Sequence, residues 1–339
     1  MTGVQGHDRP TMVMARAPLR ISLAGGGTDL PSYADQFGST IVSFTINRYV
    51  GVTVHPRSFD GGLILTGEQT EHVPDVLAMR NRFARAALLR TGTLRNAQIN
   101  VCSDAPSGTG LGGSGAFTVA LLHALRHAEQ PGPEELAEEA SAVEMIDLER
   151  PVGKHDHYMA ALGGIRALDI NRSRHVQPKE LVVPDAVHDY VRHQLLLFYT
   201  GLSRDAGQTL VEQDRSTKQG DATIMGSLNT IAALTGQMLD ALRTGRVGEI
   251  GPILHEHWSS KRRLGNGITN PRIDKLYQAA LANGSDGGKV LGAGGGGFLL
   301  VSALPDRSDE LREVMAGEGL RELTFQTEST GSLIAELSV

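Results

Sequence analysis

Three glycine clusters in this chain stand where packing gives no reason for them. Ala24-Gly-Gly-Gly-Thr-Asp29 and Gly108-Thr-Gly-Leu-Gly-Gly-Ser-Gly115 each follow a segment that reads as a strand, and Gly292-Ala-Gly-Gly-Gly-Gly-Phe298 lies between two apolar runs. Glycine loses more backbone entropy on folding than any other residue, so such runs mark backbone that turns sharply or is approached closely. Bare amides in three distant loops suit an anionic or polyhydroxylated ligand. A fourth segment, Arg150-Pro-Val-Gly-Lys-His-Asp-His-Tyr158, is dense in ionisable residues, and its Pro and Gly argue for a turn. Such a turn is a second place for chemistry.

Two of the loops match G-x-G-x-x-G, at Gly108/Gly110/Gly113 and Gly292/Gly294/Gly297. The dinucleotide reading needs a strand before the motif and a helix after it. The third loop runs into strand-like Phe298-Leu-Leu-Val301, and the middle loop starts several residues past its strand. A Walker loop needs Gly-Lys-Ser/Thr, which closes none of these loops. What the middle loop offers is Ser114 at a helix start, where unpaired amides and the helix dipole favour phosphate. The same serine is also what an N-cap requires.

Stepping outward, 339 residues allow two domains, and 40% apolar with 21% charged content is ordinary for a globular protein. The net charge of −6 is spread along the chain, which gives no footprint for nucleic acid. Cys102 is the one cysteine, so disulfide frameworks and cysteine-built metal sites are excluded, and a buried thiol is expected. No apolar run reaches the roughly 18 residues of a membrane span, and no signal-peptide core is apparent. A cytoplasmic location with no membrane partner is expected, and a homodimer is left open.

Residues 1–14 read as a loose leader. Leu19–Leu23, Thr40–Ile46 and Tyr49–Val54 read as neighbouring strands joined by loops, and a helix is expected near Pro74–Thr91 before a strand at Ile99–Ser103. Ser114–Ala128 predicts a buried helix and Glu134–Leu148 another. After strand-like Gln194–Tyr199, helical pattern dominates Ala206–Leu264, and strand-like Gly288–Leu291 and Phe298–Val301 flank the third loop. The expected boundary near Pro184 divides an N-terminal domain, 15–184, from a C-terminal domain, 185–339.

Ala17-Pro-Leu-Arg-Ile-Ser-Leu-Ala-Gly-Gly-Gly-Thr-Asp29, Pro106-Ser-Gly-Thr-Gly-Leu-Gly-Gly-Ser-Gly-Ala116 and Gly292–Phe298 resemble, in order and spacing, the three signature motifs of GHMP small-molecule kinases. The likeness covers nearly the whole chain after Ala15. Within that superfamily the chain is most similar to the D-glycero-heptose 7-phosphate kinases, through Gly25–Asp29, Gly153-Lys-His-Asp156, Lys261-Arg-Arg-Leu264 and Ile268-Thr-Asn-Pro-Arg-Ile-Asp274. That branch carries glutamine on both sides of the turn's aspartate, where this chain has His155 and His157. The departure bears on the acceptor and not on the kinase.

The resemblance implies an α+β, two-domain GHMP fold, with an N-terminal β-rich domain like ribosomal protein S5 and a C-terminal ferredoxin-like domain with added helices. It implies ATP and Mg²⁺, and transfer to the anomeric hydroxyl of a heptose 7-phosphate, giving the 1,7-bisphosphate for nucleotide-activated heptose. Gly108, Gly110, Leu111, Gly112, Gly113, Ser114 and Gly115 would cradle the ATP phosphates, and Ser114 with Glu144 would position Mg²⁺. Asp156 would accept the hydroxyl proton, beside Arg20 and Lys154 as cations. Gly25, Gly26, Gly27, Thr28 and Asp29 would hold the sugar, with His155, His157, Gly294, Gly295 and Gly296 near it. Arg172, Arg174, Lys261 and Arg262 are candidates for its existing phosphate. Kinases of fucose, galactose or an octose phosphate, and a catalytically silent sugar sensor, are the alternatives. Paired His-x-His at 155/157 and 255/257 is not read as a zinc site, because phosphoryl transfer favours Mg²⁺ on oxygen ligands.

Overall fold

The computed structural model describes residues 11–57, 59, 61–202 and 206–338. The first half runs β1 (Thr11–Ala24), α1 (Pro31–Phe37), β2 (Ser39–Pro56), β3 (Leu63–Thr66), β4 (Thr70–Val73), α2 (Arg82–Arg90), β5 (Ala97–Ser103), α3 (Gly113–Leu125), α4 (Pro133–Ala142), α5 (His155–Leu162), β6 (Ile165–Ile170) and β7 (Val176–Glu180). The second runs α6 (Asp185–His193), β8 (Leu195–Tyr199), α7 (Ala206–Lys218), α8 (Ala222–Thr244), α9 (Ile250–Lys261), α10 (Pro271–Ala282), β9 (Ser285–Val290), β10 (Phe298–Ala303), α11 (Ser308–Gly317), β11 (Arg321–Glu322) and β12 (Leu333–Ser338). No helix among the described residues is long and apolar enough to cross a membrane.

The strands form two sheets. The larger is ordered β12-β1-β2-β5-β3-β4, with β6 on β2 and β7 on β6, and the smaller is β11-β8-β10-β9. All pairs are antiparallel except β3 with β5. Residues 17–24 of β1 are buried without alternation. Such a run needs cover on both faces, and α3, α5, α8 and α9 all pack against β1. The alanine- and leucine-rich α3 is buried along nearly its whole length, as its composition predicts.

Several sequence readings change. Thr40–Ile46 and Tyr49–Val54 are one strand, and β1 and β2 pair over almost their whole length with register shifts at Pro18/Leu19 and Ser22/Ala24. At the first shift β2 bulges outward to receive the C-terminal segment, where Asn47 N donates to Gln326 O and Asn47 Oδ1 accepts from Gln326 N. Residues 11–14, read as leader, are the start of β1 and pair with β12; residues 1–10 of that leader lie outside the described residues. β12 therefore returns to the first sheet, so the 185–339 segment does not form one spatial unit. The helix expected at Pro74–Thr91 is shorter, Arg82–Arg90, because Asn81 caps it by accepting from Ala84 N. Cys102 is exposed, above Gly51 at the outer end of β5, so its thiol is not buried.

Because β12 satisfies the outer edge of β1, truncation after Ser332 is expected to lower the melting temperature by several degrees. Thermal unfolding scans of the full and truncated chains check it; equal melting temperatures would mean that the strand adds nothing.

Candidate active site

The glycine loop 108–112 and α3 meet β1 at Arg20. The Arg20 amide donates to Leu111 O at 3.0 Å, and its Nη1 donates to Gly110 O at 2.6 Å. The rest of the guanidinium grips Asp156, with Nε 2.9 Å and Nη2 2.6 Å from Oδ1. Arg20 is 5% exposed and the Asp156 side chain 29%, so a buried guanidinium that has found its hydrogen bonds holds a partly exposed carboxylate.

Asp156 lies in the first turn of α5, not in a turn as Pro151 and Gly153 suggested. A carboxylate there is favoured by the free amides of the helix start. Burial raises its pKa, but the Arg20 guanidinium outweighs it and holds the group below the usual carboxylate range. A Cβ on Gly115 would stand 2.8 Å from Asp156 Cβ and 3.0 Å from its carbonyl carbon. The glycine after Ser114 is thus required by α5, which brings the amide-rich start of α3 against the aspartate.

Asp29 closes the other side. Its Oδ1 accepts from Gly27 N at 3.3 Å, and its carboxylate lies so near Gly153 that a Cβ there would be 2.0 Å from Oδ2. Burial, then Asp156, raise its pKa from 3.8 to about 6. Thr28 is buried, donating to Gly25 O or sharing a proton with Ser39 Oγ at 2.6 Å. Gln213, on α7 and absent from the sequence reading, donates to Gly27 O at 3.1 Å. It is a buried polar residue that helical periodicity alone cannot distinguish from a surface one.

The histidines expected near the sugar are buried. His155 Nε2 is 2.6 Å from Ser43 Oγ and its Nδ1 is 3.2 Å from Asp156; burial, then Arg20, push its pKa to about 3, so the ring is neutral. His157 Nε2 meets Glu144 Oε1 at 3.2 Å. Both support α5 from behind. Lys154 is committed to both oxygens of Glu138 at 2.7 Å, and Arg262 to Asp274 at 3.0 Å. Lys261 is buried and donates to Gly292 O; burial, then Arg20, lower its pKa to about 8. Arg174 pairs with Asp35, and Arg172 is exposed.

The third loop meets protein, which accounts for its glycines without a ligand. A Cβ on Gly294 would lie 2.7 Å from Ile268 O, and one on Gly296 2.8 Å from Leu202 O. The Gly295 amide donates to Ile268 O at 2.7 Å. Gly292 sits on Gly110 and Gly297 on Thr109, with Cβ approaches of 2.5 and 2.2 Å, so the loop braces the middle one. Behind it lies Lys289, within the strand-like segment that precedes this loop. It is buried on β9 and donates across to Leu23 O on β1 at 3.2 Å. His257, buried beside it, has no partner on either ring nitrogen among the described residues.

Models of the GHMP kinases N terminal domain and of GHMP kinases C terminal match residues 77–164 and 238–319. The chain belongs to the GHMP kinases. It is 27% identical to the D-glycero-alpha-D-manno-heptose 7-phosphate kinase of Campylobacter jejuni over 320 residues, 90% of this chain and 94% of that one. It is 26% identical to a galactokinase of Chloroflexus aggregans, covering 92% and 90%. The crystal structure of a D-glycero-D-manno-heptose 1-phosphate kinase from Bacteroides thetaiotaomicron superposes with TM-score 0.78 at 23% identity, over 96% of this chain and 99% of that one, which bears out the two-domain fold. The protein is thus a phosphotransferase, with ATP as the family's donor.

The amides that start α3 fit the phosphates of ATP: Gly112 is its left-handed N-cap with φ 76°, and the first amides of any helix lack intrahelical partners. The magnesium set does not fit as the side chains stand. The expected α-helix breaks at Ala142 into a π turn, Val143–Asp147, which carries Glu144 inward. Its Oε2 lies 2.5 Å from Arg150 Nη1 and its Oε1 on His157, while Ser114 is exposed. Both oxygens are engaged, and no group of three or more His, Cys, Asp or Glu residues suited to a metal occurs among the described residues.

Two outcomes follow. Gly115→Ala is expected to displace Asp156 and lower kcat at least 100-fold while costing about 1–3 kcal/mol of stability through overpacking; steady-state kinetics and urea titration check it, and near-normal turnover would show that α5 is not held by this contact. For Asp29, the stability of the protonated carboxyl is present below the ordinary 3.8 and lost as pH rises through about 6. Asp29→Asn is therefore expected to melt higher than the parent above pH 6 and no higher at pH 4, which thermal scans across that range resolve.

Proposed function

We propose that the protein transfers the γ-phosphoryl of ATP to the anomeric C1 hydroxyl of a D-glycero-heptose 7-phosphate, giving heptose 1,7-bisphosphate for nucleotide-activated heptose biosynthesis. The observation that carries this reading is the convergence on Arg20, which binds Asp156 and the carbonyl of the phosphate loop with one guanidinium. The Campylobacter jejuni relative, matched end to end, supports the acceptor.

Phosphoryl transfer asks the protein mainly for positioning and for charge opposite the developing negative charge. In this reading the α3 amides hold the phosphates, and Arg20 faces the equatorial oxygens during transfer. Asp156 receives the sugar hydroxyl and takes its proton as the bond to phosphorus forms. Asp29 accepts hydrogen bonds from neighbouring sugar hydroxyls, with Gly25–Gly27 leaving room for the ring. His155, His157 and Ser43 keep α5 in register and touch no substrate. Lys154 steadies the start of that helix through Glu138.

The test is ADP release with Mg²⁺-ATP on heptose 7-phosphates, an octose 8-phosphate, fucose and galactose. Heptose 7-phosphate is expected to be turned over with the highest kcat/KM, and Asp156→Asn to lose about 10²- to 10⁴-fold in kcat. Preference for fucose or galactose would sink the acceptor assignment, and full activity in the Asp156 variant would sink the mechanism.

A further inference from the structure

We propose that the tip of the β6–β7 hairpin, through Arg172 with His175 beside it, is the subsite for the phosphate that the acceptor sugar already carries. The inference rests on the sugar-phosphate reading above and names the residues that make the acceptor a phosphate ester.

A groove of about 560 Å³ opens along this hairpin, and its wall includes Ser39, Thr40, Asp169, Arg172 and His175. That volume falls within the range of small-molecule sites. It stands directly behind the acceptor loop, since Ser39 Oγ shares a 2.6 Å hydrogen bond with Thr28. A narrower cleft lined by Asp29, Lys154 and Arg174 shares the Ile170 wall with the groove. Ile170 is thus the wall between the two, with Asp29 and Lys154 on one side and Arg172 on the other.

The charges on the two sides of that wall decide what each accepts. Asp169, the acid in the groove wall, is taken by Thr40 at 2.7 Å and Lys179 at 2.6 Å. Arg174 spans to Asp35 with contacts of 2.8 and 2.6 Å, which ties the hairpin to α1 just beyond the acceptor loop. In the narrow cleft Lys154 is matched by Glu138. Once these pairs cancel, Arg172 is the cation facing the groove with no ion-pair partner among the described residues. The tip that carries it is held in shape: Asn171 Oδ1 accepts from the amides of Ser173 and His175 and from Ser173 Oγ, and Arg174 has φ 64°. A guanidinium presents a planar fork that matches two phosphate oxygens, and a fixed tip reduces the entropy lost on binding. A neutral sugar would leave Arg172 with nothing to gain.

The experiment measures kcat and KM of the full chain for heptose 7-phosphate and for the same heptose without phosphate, in the parent, Arg172→Ala and Arg172→Lys. In Arg172→Ala the KM for the ester is expected to rise about 10- to 100-fold more than that for the free sugar, with kcat for the ester changing much less. Lysine is expected to restore part of the loss. If the parent prefers the ester and Arg172→Ala weakens both sugars alike or neither, the subsite is wrong and the acceptor assignment stands. If the parent uses the free sugar as well as the ester, both fall.

Discussion

The active site depends on keeping one guanidinium, Arg20, out of water. Its neighbours add to the charge to be balanced: Lys261 and Lys289 are buried too, and both have lowered pKa values, Lys261 from burial and then Arg20, Lys289 from burial, then Lys261, then Arg20. Removing an ion from water costs several kcal/mol unless charge and hydrogen bonds replace the lost hydration. Asp156 supplies the charge for Arg20. The two lysines are given carbonyls, Gly292 O and Leu23 O. Because Lys289 belongs to the second sheet and Leu23 to the first, the buried Lys289 amine bridges the seam between the sheets. Asp29, itself short of hydration, is stabilised as an anion by Arg20 and in turn favours the charge on Lys261.

Backbone contact closes the rest of that seam. Gly110 against Leu291 O, Gly292 against Gly110 Cα, Gly297 against Thr109 O and Gly25 against Thr40 O would place any Cβ at 2.5, 2.5, 2.2 and 2.2 Å. None of these distances admits a side chain, and three of the four join the middle and third loops. The glycine runs therefore record where the protein meets itself as much as where it meets a ligand. The phosphate loop can keep its amides bare because its far side is packed against backbone that does not move aside.

This double use explains what the sequence could and could not convey. The loops, α3 and the pairing of Arg20 with Asp156 were legible, since glycine runs, an alanine-rich apolar stretch and matched motifs are local signals. The long β1 and β2 were not, because Pro18 and the Asn47–Arg48 bulge look like loop ends until residues 326–328 are seen filling the gap. Nor was β12, whose partner lies more than three hundred residues away. Glu144 was legible as a site residue only through the matched motifs, and its partners Arg150 and His157 depend on a π turn that shifts the face of the helix. Lys289 falls inside the strand-like Gly288–Leu291 that leads into the third loop. A lysine among apolar neighbours reads as a strand end, and only the tertiary contact shows it to be fully enclosed.

The environments of the two carboxylates push their pKa values apart, and that separation constrains the chemistry. Asp29 is raised to about 6 by burial and by Asp156, whereas Asp156 is held low chiefly because Arg20 overrides its burial. A carboxylate held this firmly in its ionised form is a weak base, which would be a defect if proton removal had to precede attack. In a loose phosphoryl-transfer transition state the bond to the incoming oxygen is little formed, and the hydroxyl keeps most of its proton until late. The requirement is then an acceptor that is always ionised and always oriented, and the Arg20 contact secures both. The same guanidinium keeps a hydrogen bond to Gly110 O in the glycine loop, so in the proposed transfer the charge that weakens Asp156 as a base is the charge that would face the phosphoryl group as it moves.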